Sequence, residues 1–499
     1  MRCTVHAVLA FVLTSLPLPA AAQAPGPAPY TDVRPVPDTP AVRRAQEVVA
    51  TVNGGDPARV RALVESAFAA KFRDAFPMEE HLAAFAGWRD TYRELKVHSA
   101  RTYEPPRPSH TAVLIVRSAM LETWRAMVVE VEPEPPHRIT SLDLLPARPP
   151  RDLPKAAALE PPRIAKDLGS YVDRLAAAGL FSGTVLLARD GKVLLTKAVG
   201  IANRDFDAPV RLDTKFNLGS MNKMFTGVAT MKLVEQGRLS LDDPIAKHLD
   251  DTWLPQVDKT KVLVKHLLTH TSGLGSYFND SFDRSSRLLF RRVDDYKPLV
   301  AAETLAFEPG TKSSYSNTGM LVAGAVIEGA SGIDYFEFVR RHVTGPAGMT
   351  NTDCYELDKV NRNLAVGYER RVTAGGTEFR NNIFDHVLRG GPAGGCYSTV
   401  EDLDKFAQSM RGRALVGEAA TRELLRPWPE IASPDYGLGF GIDQTPLGRR
   451  VGHSGGFTGI SADLAVYLDA GWTVAVLSNF GEAASFVSQK ANTLILQGR

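Results

Sequence analysis

With 499 residues, 44% apolar and 23% charged, the chain has the composition of a globular protein and is too long for one ordinary domain. Lys and Arg number 58 against 56 Asp and Glu, and basic residues cluster only in pairs, which excludes the basic face that nucleic acid requires. After the N-terminus no segment approaches the roughly 20 apolar residues of a membrane-spanning helix. A small molecule or peptide is the expected partner, and the sequence points to no cofactor.

The N-terminus reads as an export signal over residues 1–22. Arg2 supplies a minimal positive region, Val5 to Leu18 is mostly apolar, and Ala20-Ala21-Ala22 is an A-x-A site before Gln23. Pro17 and Pro19 interrupt the apolar run, and no cysteine stands at the cleavage point to carry a lipid. The expected mature chain starts at Gln23 in the periplasm or the medium. Cys3 leaves with the signal. Cys354 and Cys396 then either pair in an oxidising compartment or stand as two small buried apolar residues, and their spacing leaves both readings open.

From Thr39 to Leu145 helical patterns precede strands. Ala41 to Val52, Pro57 to Phe72 and Met78 to Tyr92 read as helices, and Ala112 to Val116, Trp124 to Val131 and Ile139 to Leu144 as strands. That order predicts an accessory α+β domain over 31–147. With its Gly54-Gly55-Asp56 turn it resembles the nuclear-transport-factor-2-like (NTF2-like) fold, which here implies a ligand-binding or spacer role. Six prolines between Pro146 and Pro162 predict a stiff linker over 148–162.

The second domain, 163–499, opens with a helix from Ile164 to Ala178. A hairpin follows, Thr184 to Arg189 and Lys192 to Val199 around Asp190-Gly191. Helices and loops fill the middle. Strands return at Arg450 to Thr458, Ser461 to Leu468 and Trp472 to Ser478, before a last helix from Ala483 to Leu496. Strands at both ends require a sheet assembled from remote segments.

Three short motifs carry chemistry. Ser220 and Lys223 stand three apart at the start of an apolar helix that Gly237 stops, so the amine lies on the same face as the hydroxyl whose proton it would take. Backbone N–H groups of that first turn favour a developing oxyanion. Tyr315-Ser316-Asn317 follows Phe307-Glu308-Pro309-Gly310; a phenol beside an ammonium can be held partly ionised, and the Asn317 amide offers a donor and an acceptor. His453-Ser454-Gly455 lies on a strand, where Gly455 admits a substrate backbone and the Gly456 N–H completes an oxyanion hole with that of Ser220.

Other patterns fit less well. Gly452 to Gly456 also spells G-x-S-x-G, but a nucleophile elbow needs a later histidine, and His453 is the last in the chain. Tyr277-Phe278-Asn279 repeats the Y-x-N pattern without the Pro-Gly lead-in, which puts Tyr277 at the surface or lining a cleft. His266 and His270 stand four apart without the H-E-x-x-H glutamate, so they read as structural residues and no metal site is expected.

S-x-x-K, Y-x-N and H-x-G in this order resemble the penicillin-recognising serine hydrolases, in particular the branch of class C β-lactamases, D-aminopeptidases, D-alanyl-D-alanine carboxypeptidases and family VIII esterases. Residues 266–274, 345–349, and 393–395 leading to 398–403 resemble that family as well. The resemblance implies an α+β fold, an antiparallel sheet with flanking helices and a helical subdomain, over 163–499. It implies Ser220 as nucleophile, Lys223 as base, Tyr315 as proton relay, and Asn317, His453, Ser454 and Gly455 as substrate-binding residues. The function implied is an exported hydrolase that forms an acyl-enzyme on an ester or amide: an esterase, a D-amino-acid peptidase or a weak β-lactamase. The alternative is an inactive scaffold that only binds its ligand.

His453 departs from the lysine found in many relatives. An ordinary imidazole, pKa about 6.5, would gain charge and bind carboxylate substrates better as pH falls through that value.

Overall fold

Capping residues start the first two helices where the sequence places them. Thr39 Oγ1 accepts from Val42 N at 3.3 Å and Asp56 Oδ1 from Ala58 N at 2.9 Å, each followed by a proline at the first helical position. The computed structural model describes residues 29–154, 157–373 and 376–498. The export signal 1–22 and Gln23 lie outside the described residues. By its internal contacts the chain divides into two units, one of residues up to 156 with the segment 371–378, the other of 157–370 with 379–499.

The first unit holds β1 (Tyr30–Val33), α1 (Pro40–Gly54), α2 (Pro57–Ala67), α3 (Met78–Tyr92), β2 (Leu95–Tyr103), β3 (Thr111–Ser118), β4 (Trp124–Val131) and β5 (Ile139–Pro146). The strands form an antiparallel sheet in chain order, against which α1 packs. Helix α2 is shorter than the expected Pro57 to Phe72. Phe68 is buried and bridges to Ile139, and Ala69 N donates to Ile139 O at 2.9 Å, so pairing with β5 breaks the helix at Phe68 and Ala69 before a short turn resumes over Ala70–Arg73. Strand β2 shows no apolar alternation because Ser99 and Arg101 are buried on it. The Arg101 guanidinium holds both carboxylate oxygens of buried Asp32 at 2.8 and 3.0 Å, a forked geometry that satisfies a charge otherwise costly to bury.

The second unit opens with α4 (Pro161–Ala177), whose first turn takes up Pro161 and Pro162 from the expected linker, since proline suits that position. Strands β6 (Gly183–Arg189) and β7 (Lys192–Val199) follow. Next come α5 (Asn222–Glu235), α6 (Asn317–Ser331) and α7 (Val400–Arg411), and then β8 (Gly441–Thr445), β9 (Gly448–Phe457), β10 (Ile460–Tyr467), β11 (Trp472–Ser478) and α8 (Ala483–Gln497).

The sheet is antiparallel in the order β8-β9-β10-β11-β6-β7, so β11 from the chain's end seats beside β6 from the domain's start. Both faces of its centre are covered, which is why β6 and β11 read as continuous apolar runs. On one face α8 packs, with Tyr467 Oη donating to Asn492 Oδ1 at 3.0 Å. Alternate residues such as Leu464, Ala475 and Leu477 join the helical side of the core. Helix α5 runs through that core, buried from Asn222 to Met231, with Phe225 edge-on to Phe406 of α7 at 5.1 Å. A helix buried all round must carry apolar residues on every face, and α5 does.

Candidate active site

Ser220 sits in a single 3-10 turn, Gly219–Met221, that feeds directly into α5. Gly219 has φ +49°, and a methyl there would lie 2.8 Å from Gly456 N; one on Gly455 would lie 1.8 Å from Leu218 O and 2.9 Å from Ser220 N. Only two glycines let β9 come this close to the serine's turn. The β9 register adds a directional constraint. Phe457 and Ile460 close a two-residue hairpin, so hydrogen-bonded pairs alternate from there and Gly456 falls at a non-bonded position opposite Ser461. Its N–H therefore points off the edge that β8 would cover, but β8 ends at Gly441 opposite Gly452. The amides of Ser220 and Gly456 thus meet in one gap. Gly455→Ala should cost on the order of 1–3 kcal/mol and reduce kcat more than 10²-fold, because the added methyl meets backbone on both sides. Thermal unfolding and kcat on one ester check this.

Lys223 is fully buried, and its Nζ lies 3.0 Å from Ser220 Oγ, 3.0 Å from Asn317 Oδ1 and 2.5 Å from Ala393 O. Burial holds its pKa well below the ordinary lysine value. A neutral amine has two N–H donors and one lone pair. Lys223 Nζ has three partners, the Ser220 hydroxyl and the Asn317 and Ala393 carbonyls; once deprotonated, the amine spends its two N–H donors on the carbonyls and leaves its lone pair for the hydroxyl. Asn317 opens α6 but does not cap it; Ser316 does, accepting from Gly319 N at 2.7 Å. The Asn317 amide nitrogen donates to Ser276 Oγ at 3.3 Å, which fixes the orientation of its carbonyl.

Tyr315 projects its half-exposed ring over Lys223, with Nζ 4.8 Å from the centroid. Burial of the phenol raises its pKa to about 12, the hydrogen bond with Ser220 offsetting part of the rise. This corrects the expectation of a partly ionised phenol. Burial disfavours the phenolate of Tyr315 and the ammonium of Lys223 alike.

His453 is also corrected. Tyr436 Oη lies 2.7 Å from His453 Nε2, and His453 Nδ1 lies 2.5 Å from Ser454 O. The Tyr436 phenol is held well above its usual pKa by burial, so it donates; Nε2 accepts, and Nδ1–H donates to the carbonyl. Both ring nitrogens are satisfied in this neutral tautomer. Burial, with Lys223 nearby, lowers the imidazole pKa to about 3. The expected gain in carboxylate binding near pH 6.5 therefore does not arise. KM for a carboxylate-bearing cephalosporin should stay flat between pH 5.5 and 8, and the His453 ring nitrogens should not titrate there by NMR.

The histidine pair binds backbone amides. His266 Nδ1 accepts from Leu263 N at 3.2 Å and His270 Nδ1 from Ser316 N at 3.1 Å. His270, expected to be structural, stacks between Tyr315 at 4.3 Å and Tyr436 at 4.7 Å, so it braces the Tyr315 ring. Tyr277 is buried against Phe282 and Tyr296, not at the surface, and its neighbour Phe278 is the exposed ring.

The two cysteines do pair, Cys354 with Cys396. The bridge lies at the base of the site. Cys396 N donates to Asn222 Oδ1 at 3.3 Å, Cys396 O accepts from Leu218 N at 2.8 Å, and Gly395 N donates to Gly219 O at 3.2 Å. The segment that supplies Ala393 O is thereby tied to the Ser220 turn. Sequence reasoning noted that segment but missed its contact with the lysine. It missed Tyr436 altogether, although the glycines alternating from Gly437 to Gly441 mark a close-packed loop. A separate cavity of about 360 Å³, lined by Asp250, Arg292 and Glu328, lies near the far end of α6, eleven residues and roughly 16 Å from Asn317.

Residues 168–497 match the Beta-lactamase family. Penicillin-binding protein 4* of Bacillus subtilis is 31% identical over 341 residues, 64% of this chain and 73% of that protein. Esterase EstB of Burkholderia gladioli is 28% identical over 57% of this chain and 83% of its own length. A crystal structure of a penicillin-binding protein from Bacillus halodurans superposes with a TM-score of 0.58 at 29% identity, covering 67% of this chain and 99% of that one. By a match that spans two-thirds of its length and the whole of the serine-lysine site, the chain belongs to the β-lactamase family.

Proposed function

We propose that this protein is an exported serine hydrolase that forms an acyl-enzyme through Ser220 on a neutral ester or amide. The observation that carries the reading is the buried Lys223 Nζ, 3.0 Å from Ser220 Oγ, with the Asn317 and Ala393 carbonyls as its other partners. Lys223 takes the hydroxyl proton as Ser220 Oγ bonds the carbonyl carbon, and the amides of Ser220 and Gly456 hold the oxyanion. As the carbonyl re-forms, the bond to the leaving group breaks, and the proton on Lys223 returns to that group through Tyr315, whose high pKa suits it to relay a proton. Water then releases the acyl group by the same route. Asn317, Ser454 and the neutral His453 face line the substrate site.

A scaffold that only binds a ligand has no use for a buried lysine held on a serine hydroxyl. Export is supported by the Cys354–Cys396 bridge, which persists in oxidising compartments. The NTF2-like resemblance of the first unit remains a proposal of accessory function. Turnover of p-nitrophenyl acetate by the purified chain, lost in Ser220→Ala, is the expected result; no turnover between pH 6 and 10 would contradict it.

A further inference from the structure

Residues 453, 455 and 457 share one face of β9, the face that Gly455 lays against the Ser220 turn. His453 marks one end of that stretch, and Phe457 stands two residues beyond Gly455 at the other. Across from it, Phe278 follows Ser276, the partner of Asn317, by two residues. The Phe278 and Phe457 rings meet at 5.8 Å and 28°, yet each is about 40% exposed (43% and 39%), so the pair presents apolar ring surface to solvent beside the nucleophile. His386 flanks Phe457 at 6.2 Å, and burial lowers its pKa to about 4. Asn382 Nδ2 donates to Thr458 O at 2.6 Å and holds this segment against the β9–β10 turn.

The rings at both ends of this stretch are uncharged near pH 7: Tyr315, His270, Tyr436 and His453 at one end, Phe278, Phe457 and the His386 imidazole at the other. These rings offer a carboxylate no charge partner, whereas a flat apolar acyl group would bury surface against two of them, already placed for offset or edge contact.

We propose that Phe278 and Phe457 form an acyl-group subsite that selects neutral substrates with an aromatic acyl moiety, a proposal resting on Ser220 acylation as described above. The test compares kcat/KM for p-nitrophenyl phenylacetate and p-nitrophenyl acetate, each corrected for its hydroxide-catalysed rate, in the wild-type chain, Phe278→Ala, Phe457→Ala and Phe457→Tyr. The wild-type chain should prefer the phenylacetyl ester by about tenfold or more. Each alanine variant should lower that ratio by about tenfold, chiefly through KM, while Phe457→Tyr, which keeps a ring, retains most of it. A ratio unmoved by either alanine change, or raised because the rings obstruct entry, would overturn the subsite while leaving the hydrolase reading intact. If Ser220 takes an acyl group from neither ester, both readings fall.

Discussion

Ser220→Ala is expected to lower kcat for any ester by about 10⁴-fold or more, because the variant loses the only atom in the site that can bond the acyl carbon with a base in contact. Ser454→Ala should weaken turnover by about tenfold at most. Ser454 stands on the open edge of β9 with its carbonyl on the His453 ring, and no base lies within hydrogen-bond reach of its hydroxyl among the described residues. The contrast separates this site from a nucleophile elbow built on Gly452 to Gly456, for which the ranking would reverse. Steady-state kinetics on p-nitrophenyl acetate, with circular dichroism to verify folding, measure both.

Lys223→Met carries the second-largest effect, a fall in kcat of about 10²- to 10⁴-fold. Methionine fills a similar volume without a basic nitrogen, so Ser220 keeps its place but loses its proton acceptor. Asn317 Oδ1 and Ala393 O lose a donor, at about 1–3 kcal/mol each, partly offset because no amine need be buried. The melting temperature should therefore shift by a few degrees, far less than the kinetic loss implies. The pH profile gives an independent check. Burial holds the amine's pKa below the ordinary lysine value, so the acid limb of wild-type kcat/KM should lie well below the pH at which an ordinary lysine loses its proton, with a level profile above it. Activity that keeps rising to pH 10 would mean an ordinary lysine.

Much of this arrangement is legible in the sequence because its cues are local. The apolar periodicity around Ser220, the Asp190-Gly191 turn and the long apolar strands near the C-terminus are each set by residues within a few positions of one another, and the structure keeps all three. Other features depend on distant partners. The pKa of Lys223 is set by how deeply the folded domain buries it, that of His453 by burial and by Lys223, and the hydrogen bond to His453 Nε2 comes from Tyr436, seventeen residues away. Strand β2 hides from hydrophobic periodicity because it buries Arg101 in a pair with Asp32, and the expected second helix is broken at Phe68 by a bridge with Ile139. The disulfide was one of two open readings, since a separation of 42 residues says nothing about proximity. The charge state of a site is thus less readable than its membership, because residue type fixes only the ordinary pKa and the fold supplies the shift.

The most direct test of the central claim is to trap the acyl-enzyme. The purified chain is treated with a fluorophosphonate or a slowly deacylating ester, and the adduct is weighed by intact-protein mass spectrometry and located by peptide mapping. A single adduct on the peptide containing Ser220 is expected, formed at least 10²-fold more slowly in Lys223→Met and absent from Ser220→Ala. An adduct on Ser454 or elsewhere, or labelling at Ser220 that proceeds at the same rate without Lys223, would contradict the account.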